Sequence, residues 1–106
     1  MEKKNGVLLD YYENGKLNWK ENFINDLIDG ESLIYYETGQ LWYKTNFKEG
    51  KRHGIYLKYN SNGQLIEKKI YKEGNIDGEW FRYFDDGSVI EKKIYKNGKL
   101  IETIKP

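Results

Sequence analysis

The chain has 106 residues, of which 33% are charged, a formal net charge of +1 at pH 7 and no cysteine. This length allows one domain, the near-neutral charge argues against a nucleic-acid-binding surface, and the lack of cysteine excludes disulfides, thiolate zinc ligands and a cysteine nucleophile. Aromatic residues make up 16% of the chain, and because disordered chains are poor in them, we expect one folded domain over residues 1–106.

The first residues, MEKKNG, do not lead into the apolar region of a secretory signal. No apolar run approaches the ~18 residues that a membrane-spanning helix needs. These features predict a cytoplasmic location, although a chain whose signal had been removed would look the same.

Glycines mark four units of equal length. One column comprises Gly6, Gly30, Gly54 and Gly78, and a second comprises Gly15, Gly39, Gly63 and Gly87. The same spacing of 24 residues relates Tyr11, Tyr35, Tyr59 and Tyr83, and also Phe23, Phe47, Tyr71 and Tyr95. We therefore predict four tandem repeats within one domain, at residues 6–29, 30–53, 54–77 and 78–101.

Each repeat is predicted to form one β-hairpin, because short segments rich in aromatic and branched residues alternate with glycine turns. The first turn (ENG, ETG, SNG or DDG) fits either a two-residue type I′ loop or a three-residue type I loop with a glycine bulge. Only the three-residue loop gathers the apolar columns on one face, with Tyr11 opposite Leu17 and Leu9 opposite Trp19.

The second turn (KEG or KNG) is predicted by the same reasoning to be a three-residue loop. It would place Phe47 opposite Lys51 and Leu41 opposite Leu57. Asp26 replaces the turn glycine in the first repeat, and Asp tolerates the left-handed conformation better than most residues.

The expected fold is all-β: an elongated single-layer antiparallel meander of four 24-residue β-hairpin repeats, with a C-terminal cap strand at residues 99–104. Nine strands would extend the sheet over about 40 Å. No helix pattern is present to cover the sheet, so one face must curl or be filled by its own aromatic side chains.

These columns resemble the MORN-repeat family in its bacterial variant form. The unit G-x-x-x-x-Y-[YF]-x-x-G-x-L is read as GESLIYYETGQL at Gly30–Leu41 and as GEWFRYFDDGSV at Gly78–Val89. Asn60 and Asp26 are departures from this unit. The resemblance implies a hairpin meander with non-enzymatic roles: protein interaction, scaffolding, phospholipid contact and, for bacterial variants, an antitoxin or immunity role.

Catalytic, cofactor and metal sites are not predicted, and we expect no enzymatic activity. His53 is the only histidine, and it lies at a turn without a nucleophile and orienting partner to act on. Asp85 and Asp86 lie at a hairpin tip, where aspartate favours turn geometry.

Residues that depart from the repeat are better candidates for binding a partner. Trp42 and Trp80 are predicted to lie on the face opposite the Tyr11 column. The candidate protein-binding set is Trp42, Trp80, Tyr56, Arg82, Tyr36 and Phe84. Aromatic residues and arginine often anchor protein interfaces, and the predicted partner is a protein, with a toxin as one candidate. Capping of the sheet by its own aromatic residues is the alternative interpretation.

A lysine column is predicted on the same face as these tryptophans. It comprises Lys20, Lys44, Lys68 and Lys92. Such a row could contact anionic phospholipids, and this membrane-surface role is the alternative function, although a solvated face is favoured. Finally, the apolar first strand at residues 7–12 predicts weak self-association through a strand edge.

Overall fold

The computed structural model describes residues 2–106, which form ten β-strands and no helix. The strands are β1 (Gly6–Tyr11), β2 (Leu17–Ile24), β3 (Leu27–Tyr35), β4 (Leu41–Lys48), β5 (Lys51–Tyr59), β6 (Leu65–Lys72), β7 (Asn75–Ile76), β8 (Gly78–Tyr83), β9 (Val89–Lys96) and β10 (Lys99–Ile104). They follow chain order in one antiparallel sheet, in which the short β7 pairs only with β6. The sheet measures 50 × 32 × 12 Å. The predicted single-layer meander is confirmed, and its last strand is β10.

The first turn of each repeat is the predicted three-residue loop. In the first repeat, the Tyr12 amide donates to the Lys16 carbonyl at 2.8 Å, and the Gly15 amide donates to the Tyr12 carbonyl at 2.9 Å. Gly15 has φ +87°, the left-handed conformation that this loop requires. Tyr11 consequently lies opposite Leu17, as predicted.

One residue beyond this turn, a β-bulge changes the register. Asn18 is inserted without a partner, so that Asp10 lies opposite Trp19 and Leu9 lies opposite Lys20. The expected pairing of Leu9 with Trp19 is therefore wrong, because a bulge adds one residue to one strand and exchanges the faces beyond it. The same shift recurs in the other three repeats.

The second turn is a two-residue loop, and here the prediction is wrong. Lys48 lies opposite Lys51 and Phe47 lies opposite Arg52, while Leu57 lies opposite Lys44 and not Leu41. Glu49 and Gly50 both have positive φ, +50° and +83°, as a type I′ turn requires. In the first repeat, Asp26 has φ +71°, so its left-handed conformation is confirmed.

Consecutive repeats are also joined through these second turns. The Gly50 amide donates to the Ile28 carbonyl at 2.8 Å, and the Glu49 amide donates to the Asp29 carboxylate at 3.1 Å. Each turn therefore rests on the preceding one, in addition to the strand ladder that joins neighbouring repeats. Such contacts between nearest neighbours are typical of repeat proteins.

The two faces of the sheet differ in side chains. The lysine face carries the Tyr11, Leu9, Leu17 and Lys20 columns. The opposite face, called the aromatic face below, carries Tyr36, Trp42, Tyr43, Tyr56, Tyr71, Trp80 and Tyr95. The buried side chains Ser32, Thr45, Tyr56, Tyr71 and Glu91 all lie on the aromatic face. The closest packing in this single layer is therefore on that face.

Candidate binding faces

A row of aromatic rings crosses the middle of the aromatic face. Tyr36 stacks on Trp42 with ring centroids 4.6 Å apart and planes 14° apart. Trp42 lies 5.0 Å from Tyr43, which lies 5.9 Å from Tyr56. Tyr56 in turn meets the edge of Tyr71 at 6.1 Å. Aromatic pairs at these separations are attractive beyond their buried area.

The β-bulge explains why Trp42 joins this row. Trp42 occupies the unpaired bulge position of β4, between Leu41 opposite Tyr35 and Tyr43 opposite Ile34. Its ring contacts Tyr36 and Tyr43, both on the aromatic face. Two successive residues therefore point to one side, which strict alternation along a strand does not allow.

Lysines continue the row into the fourth repeat. The Lys69 ammonium lies 4.7 Å from the Tyr56 ring centroid and 4.8 Å from that of Trp80. Trp80 lies 5.7 Å from Tyr95, and the Lys93 ammonium lies 5.0 Å from the Trp80 ring. Cations over aromatic faces are stabilised by the ring quadrupole. Lys69 thus links the rings of the third and fourth repeats.

Carboxylates hold these cations in place. Glu67 accepts a hydrogen bond from the Trp80 indole at 3.2 Å and lies 3.6 Å from the Lys69 ammonium. Glu91 accepts a hydrogen bond from Arg82 at 2.8 Å. This hydrogen bond lowers the pKa of Glu91 below its ordinary value, and the effect outweighs the opposing desolvation. Glu91 is therefore ionised at neutral pH.

Five of the six predicted binding residues lie on this face. They are Trp42, Trp80, Tyr56, Arg82 and Tyr36. Tyr56 is only 8% exposed, so it forms the floor of the face and cannot be a main contact; burial also raises its pKa. Phe84, the sixth, directly follows β8, is 53% exposed and makes no ring contact with the row among residues 2–106.

Sequence reasoning missed several members of the row. Tyr43, Lys69 and Lys93 are not among the predicted candidates, and the predicted register gathers the apolar columns, Tyr71 and Tyr95 included, on the face of Tyr11. Their placement depends on the bulge, for which the sequence carries no glycine signal. Departures from the repeat in their own columns are the signal that could have identified Lys69 and Tyr43: the equivalent positions hold Thr45 and Glu67.

The lysine column does not share the face of Trp42 and Trp80, which contradicts the prediction. Lys20, Lys44, Lys68 and Lys92 lie opposite Leu9, Leu33, Leu57 and Phe81 on the lysine face. The bulge is the physical reason, because it exchanges the faces beyond each first turn. Lys44 pairs with Glu31 at 3.4 Å, and Lys92 pairs with Glu79.

His53 and the Asp85–Asp86 pair have structural partners. His53 Nδ1 accepts from the Glu73 amide at 3.4 Å, the role that Asp29 plays one repeat earlier. Asp86 accepts from the amide and hydroxyl of Ser88, which lowers the pKa of Asp86. A cleft of about 420 Å³ lies beside His53 and is lined otherwise by Lys48, Glu49, Lys51 and Glu73.

Residues 2–106 contain no cluster of histidines and carboxylates suited to a metal ion. They also contain no helix with the length and apolar character that crossing a bilayer requires.

Comparison with known proteins agrees with the repeat. The MORN repeat variant family matches at residues 4–25, 28–49, 52–73 and 76–97, which is most of the chain. No curated protein matches significantly. MORN repeats are commonly protein- or membrane-binding modules and generally non-catalytic. The spacing of the matches, the hairpin meander and the paired glycine turns agree: this chain belongs to the MORN-repeat family, in its repeat-variant form.

Proposed function

We propose that the chain is a non-catalytic protein-binding module and that the aromatic face is its interface. The observation that carries this proposal is the row of rings from Tyr36 to Tyr95 on a face that no second layer covers. Tryptophan, tyrosine and arginine are enriched among residues that dominate binding energy. Trp42, Trp80 and Arg82 supply these side chains here.

A toxin is the first partner to test. The bacterial repeat variants that this sequence resembles are associated with antitoxin or immunity roles. An inhibitor of this kind needs a preformed surface, since ordering the surface on binding would cost affinity. The ring contacts and ion pairs of the aromatic face hold Trp80 before any partner binds.

The proposal is tested by replacing the two anchors and measuring binding to a purified partner first captured from the native cell. Trp42→Ala with Trp80→Ala should weaken binding by about 1,000-fold, because interface anchors contribute about 2 kcal/mol each. Tyr11→Ala on the lysine face is the control; Tyr11 is 57% exposed. Equal affinity of the double variant and the wild-type chain would refute this interface.

Membrane-surface binding through the lysine face is a second candidate function. The corrected register favours it, since Lys20 and Lys44 lie among Leu9, Leu33 and the tyrosine column. Cations beside aromatic and aliphatic side chains suit an anionic bilayer surface. Co-sedimentation with phosphatidylglycerol vesicles should then fall on Lys20→Ala with Lys44→Ala and in high salt. Salt-independent binding would exclude this role.

A further inference from the structure

We propose, on the basis of the protein-binding function above, that the partner is a protein surface with carboxylates facing the third and fourth repeats. Three features lead to this inference. Charge is distributed unevenly along the aromatic face, and two of its cations, Arg52 and Lys58, have no carboxylate partner. The face also carries carboxylates of its own, which would repel a uniform polyanion.

Charge changes sign along the aromatic face. Its C-terminal half carries five cations, Arg52, Lys58, Lys69, Arg82 and Lys93, against two carboxylates, Glu67 and Glu91. Its N-terminal half carries Asp10 and Glu21, with one cation, Lys4, above the Phe23 ring. The whole chain has a net charge of only +1, so this asymmetry is a property of the face and not of the overall composition.

Of the five cations in the C-terminal half, Arg52 and Lys58 have no carboxylate within 4.0 Å, as judged over residues 2–106. The Arg52 guanidinium lies over the rings of Tyr56 and Tyr71, and the Lys58 ammonium lies over Tyr43. Ring contacts orient these groups, and neither cation forms an ion pair, although Glu67 lies opposite Lys58 in the strand ladder. Both lie on β5, one before and one after the buried Tyr56 along the strand.

Arg82 adds a third cation to this surface. It pairs with Glu91 but keeps 47% of its side chain exposed. A planar guanidinium has further donors available for a second carboxylate. Arg52, Lys58 and Arg82 therefore surround the rings of Tyr56 and Trp80 with positive charge open to a partner.

A protein fits this charge pattern better than a nucleic acid or a lipid headgroup layer. Phosphates spread over the whole face would approach Glu67 and Glu91, and further along Asp10 and Glu21, at a cost in repulsion. A folded partner can place single carboxylates beside Arg52, Lys58 and Arg82 and apolar groups over the rings. Complementary charge of this kind raises specificity and the association rate.

The test selects binders from a random peptide library displayed on phage. Wild-type protein should enrich peptides in aspartate and glutamate. A synthetic copy of a selected peptide should bind R52E/K58E about tenfold more weakly or worse, because like charges then face each other. The matched control is K20E/K44E, which makes the same charge change on the lysine face and should bind normally.

The outcomes separate the two proposals. Selected peptides without acidic enrichment, or peptides that bind R52E/K58E as tightly as wild type, would overturn the proposal of an acidic partner. If W42A/W80A still failed to bind these peptides, the proposed aromatic interface would stand. Peptides indifferent to both double variants would overturn both proposals. Transfer RNA and phosphatidylglycerol vesicles complete the assay, and binding of either with the same sensitivity to R52E/K58E would show recognition of polyanions instead of a protein.

Discussion

The two faces of the sheet differ in how closely they follow the repeat. On the lysine face, one column is tyrosine in all four repeats, another is lysine in all four, and a third is Leu9, Leu33, Leu57 and Phe81. On the aromatic face, equivalent positions hold Leu8, Ser32, Tyr56 and Trp80. The lysine face therefore meets the common needs of the hairpin. The aromatic face keeps one aromatic column, Phe23, Phe47, Tyr71 and Tyr95, and varies at its other positions.

This difference separates scaffold from interface. A repeat protein builds its backbone from nearest-neighbour contacts that recur, and its recognition from positions that are free to change. The buried side chains lie on the aromatic face, where Trp80 and Arg82 also donate hydrogen bonds to Glu67 and Glu91. We infer that the aromatic face is preorganised by contacts particular to the third and fourth repeats.

The largest expected effect comes from the floor of the aromatic face. Tyr56→Ala removes the ring contacts to Tyr43 and Tyr71 and the contact of the Lys69 ammonium with the Tyr56 ring. It should lower the free energy of unfolding by about 3 kcal/mol, measured by urea denaturation. Tyr11→Ala on the lysine face should cost much less, because Tyr11 is already 57% exposed. Equal losses of unfolding free energy in the two variants would show that the two faces do not differ in packing.

A smaller effect is expected at the second turns, which hold the repeats in register. Gly74→Ala should cost about 1 kcal/mol, since Gly74 has φ +89°. Glu73→Asn should leave stability unchanged or raise it, because asparagine is favoured where Glu73 has φ +50°. Thermal denaturation of Glu73→Asn distinguishes the two-residue loop from a three-residue loop. In a three-residue loop, Glu73 would have an ordinary negative φ, and asparagine would not raise the stability.

Hydrogen bonds between repeats are expected to contribute a similar amount. The Tyr36 hydroxyl donates to the Tyr59 carbonyl at 2.9 Å, and Tyr12 makes the equivalent bond to Tyr35. Tyr36→Phe should therefore cost about 1 kcal/mol in urea denaturation. The neighbouring Tyr35→Phe is the control, because its hydroxyl has no hydrogen-bond partner within residues 2–106. If Tyr35→Phe lost more stability than Tyr36→Phe, the stabilising role of the Tyr36 hydroxyl would be wrong.

The smallest effect depends on pH. The pKa of Glu91 is lowered from its ordinary value in the folded protein, chiefly by the hydrogen bond from Arg82. A lowered folded-state pKa means that ionised Glu91 stabilises the fold above its ordinary pKa, and that this contribution is lost as the pH falls through the folded-state value. Glu91→Gln should thus be less stable than wild type at pH 7, and the difference should shrink on acidification. A pH-independent difference would contradict this role.

Much of the fold follows from the sequence, and the limits have physical causes. The glycine columns predict the first turn, because Gly15 must adopt positive φ there. The bulge at Asn18 is different: an extra strand residue has no required amino acid, and the Asn18 column holds Trp42, Ile66 and Ile90 elsewhere. Its omission placed the lysine column on the wrong face. The second turn was missed because Glu49 is an unusual residue for φ +50°.

The candidate site could be predicted only in part, because the sequence does not reveal the β-bulge. Trp42 and Trp80 stand out as departures from the repeat, and their face opposite the Tyr11 column was expected. The cations could not be placed without the register, since Lys69 and Lys68 are adjacent but lie on opposite faces. Self-association through β1 stays a prediction, for which analytical ultracentrifugation is the measurement.

The most direct test of the aromatic interface reads both faces in one experiment. The ten tyrosines can be replaced by 3-fluorotyrosine and followed by fluorine NMR as a captured partner is added. Resonances of Tyr36 and Tyr43 should shift or broaden, whereas Tyr11, Tyr35, Tyr59 and Tyr83 on the lysine face should stay unchanged. Changes confined to those four lysine-face tyrosines would contradict the assignment of the interface.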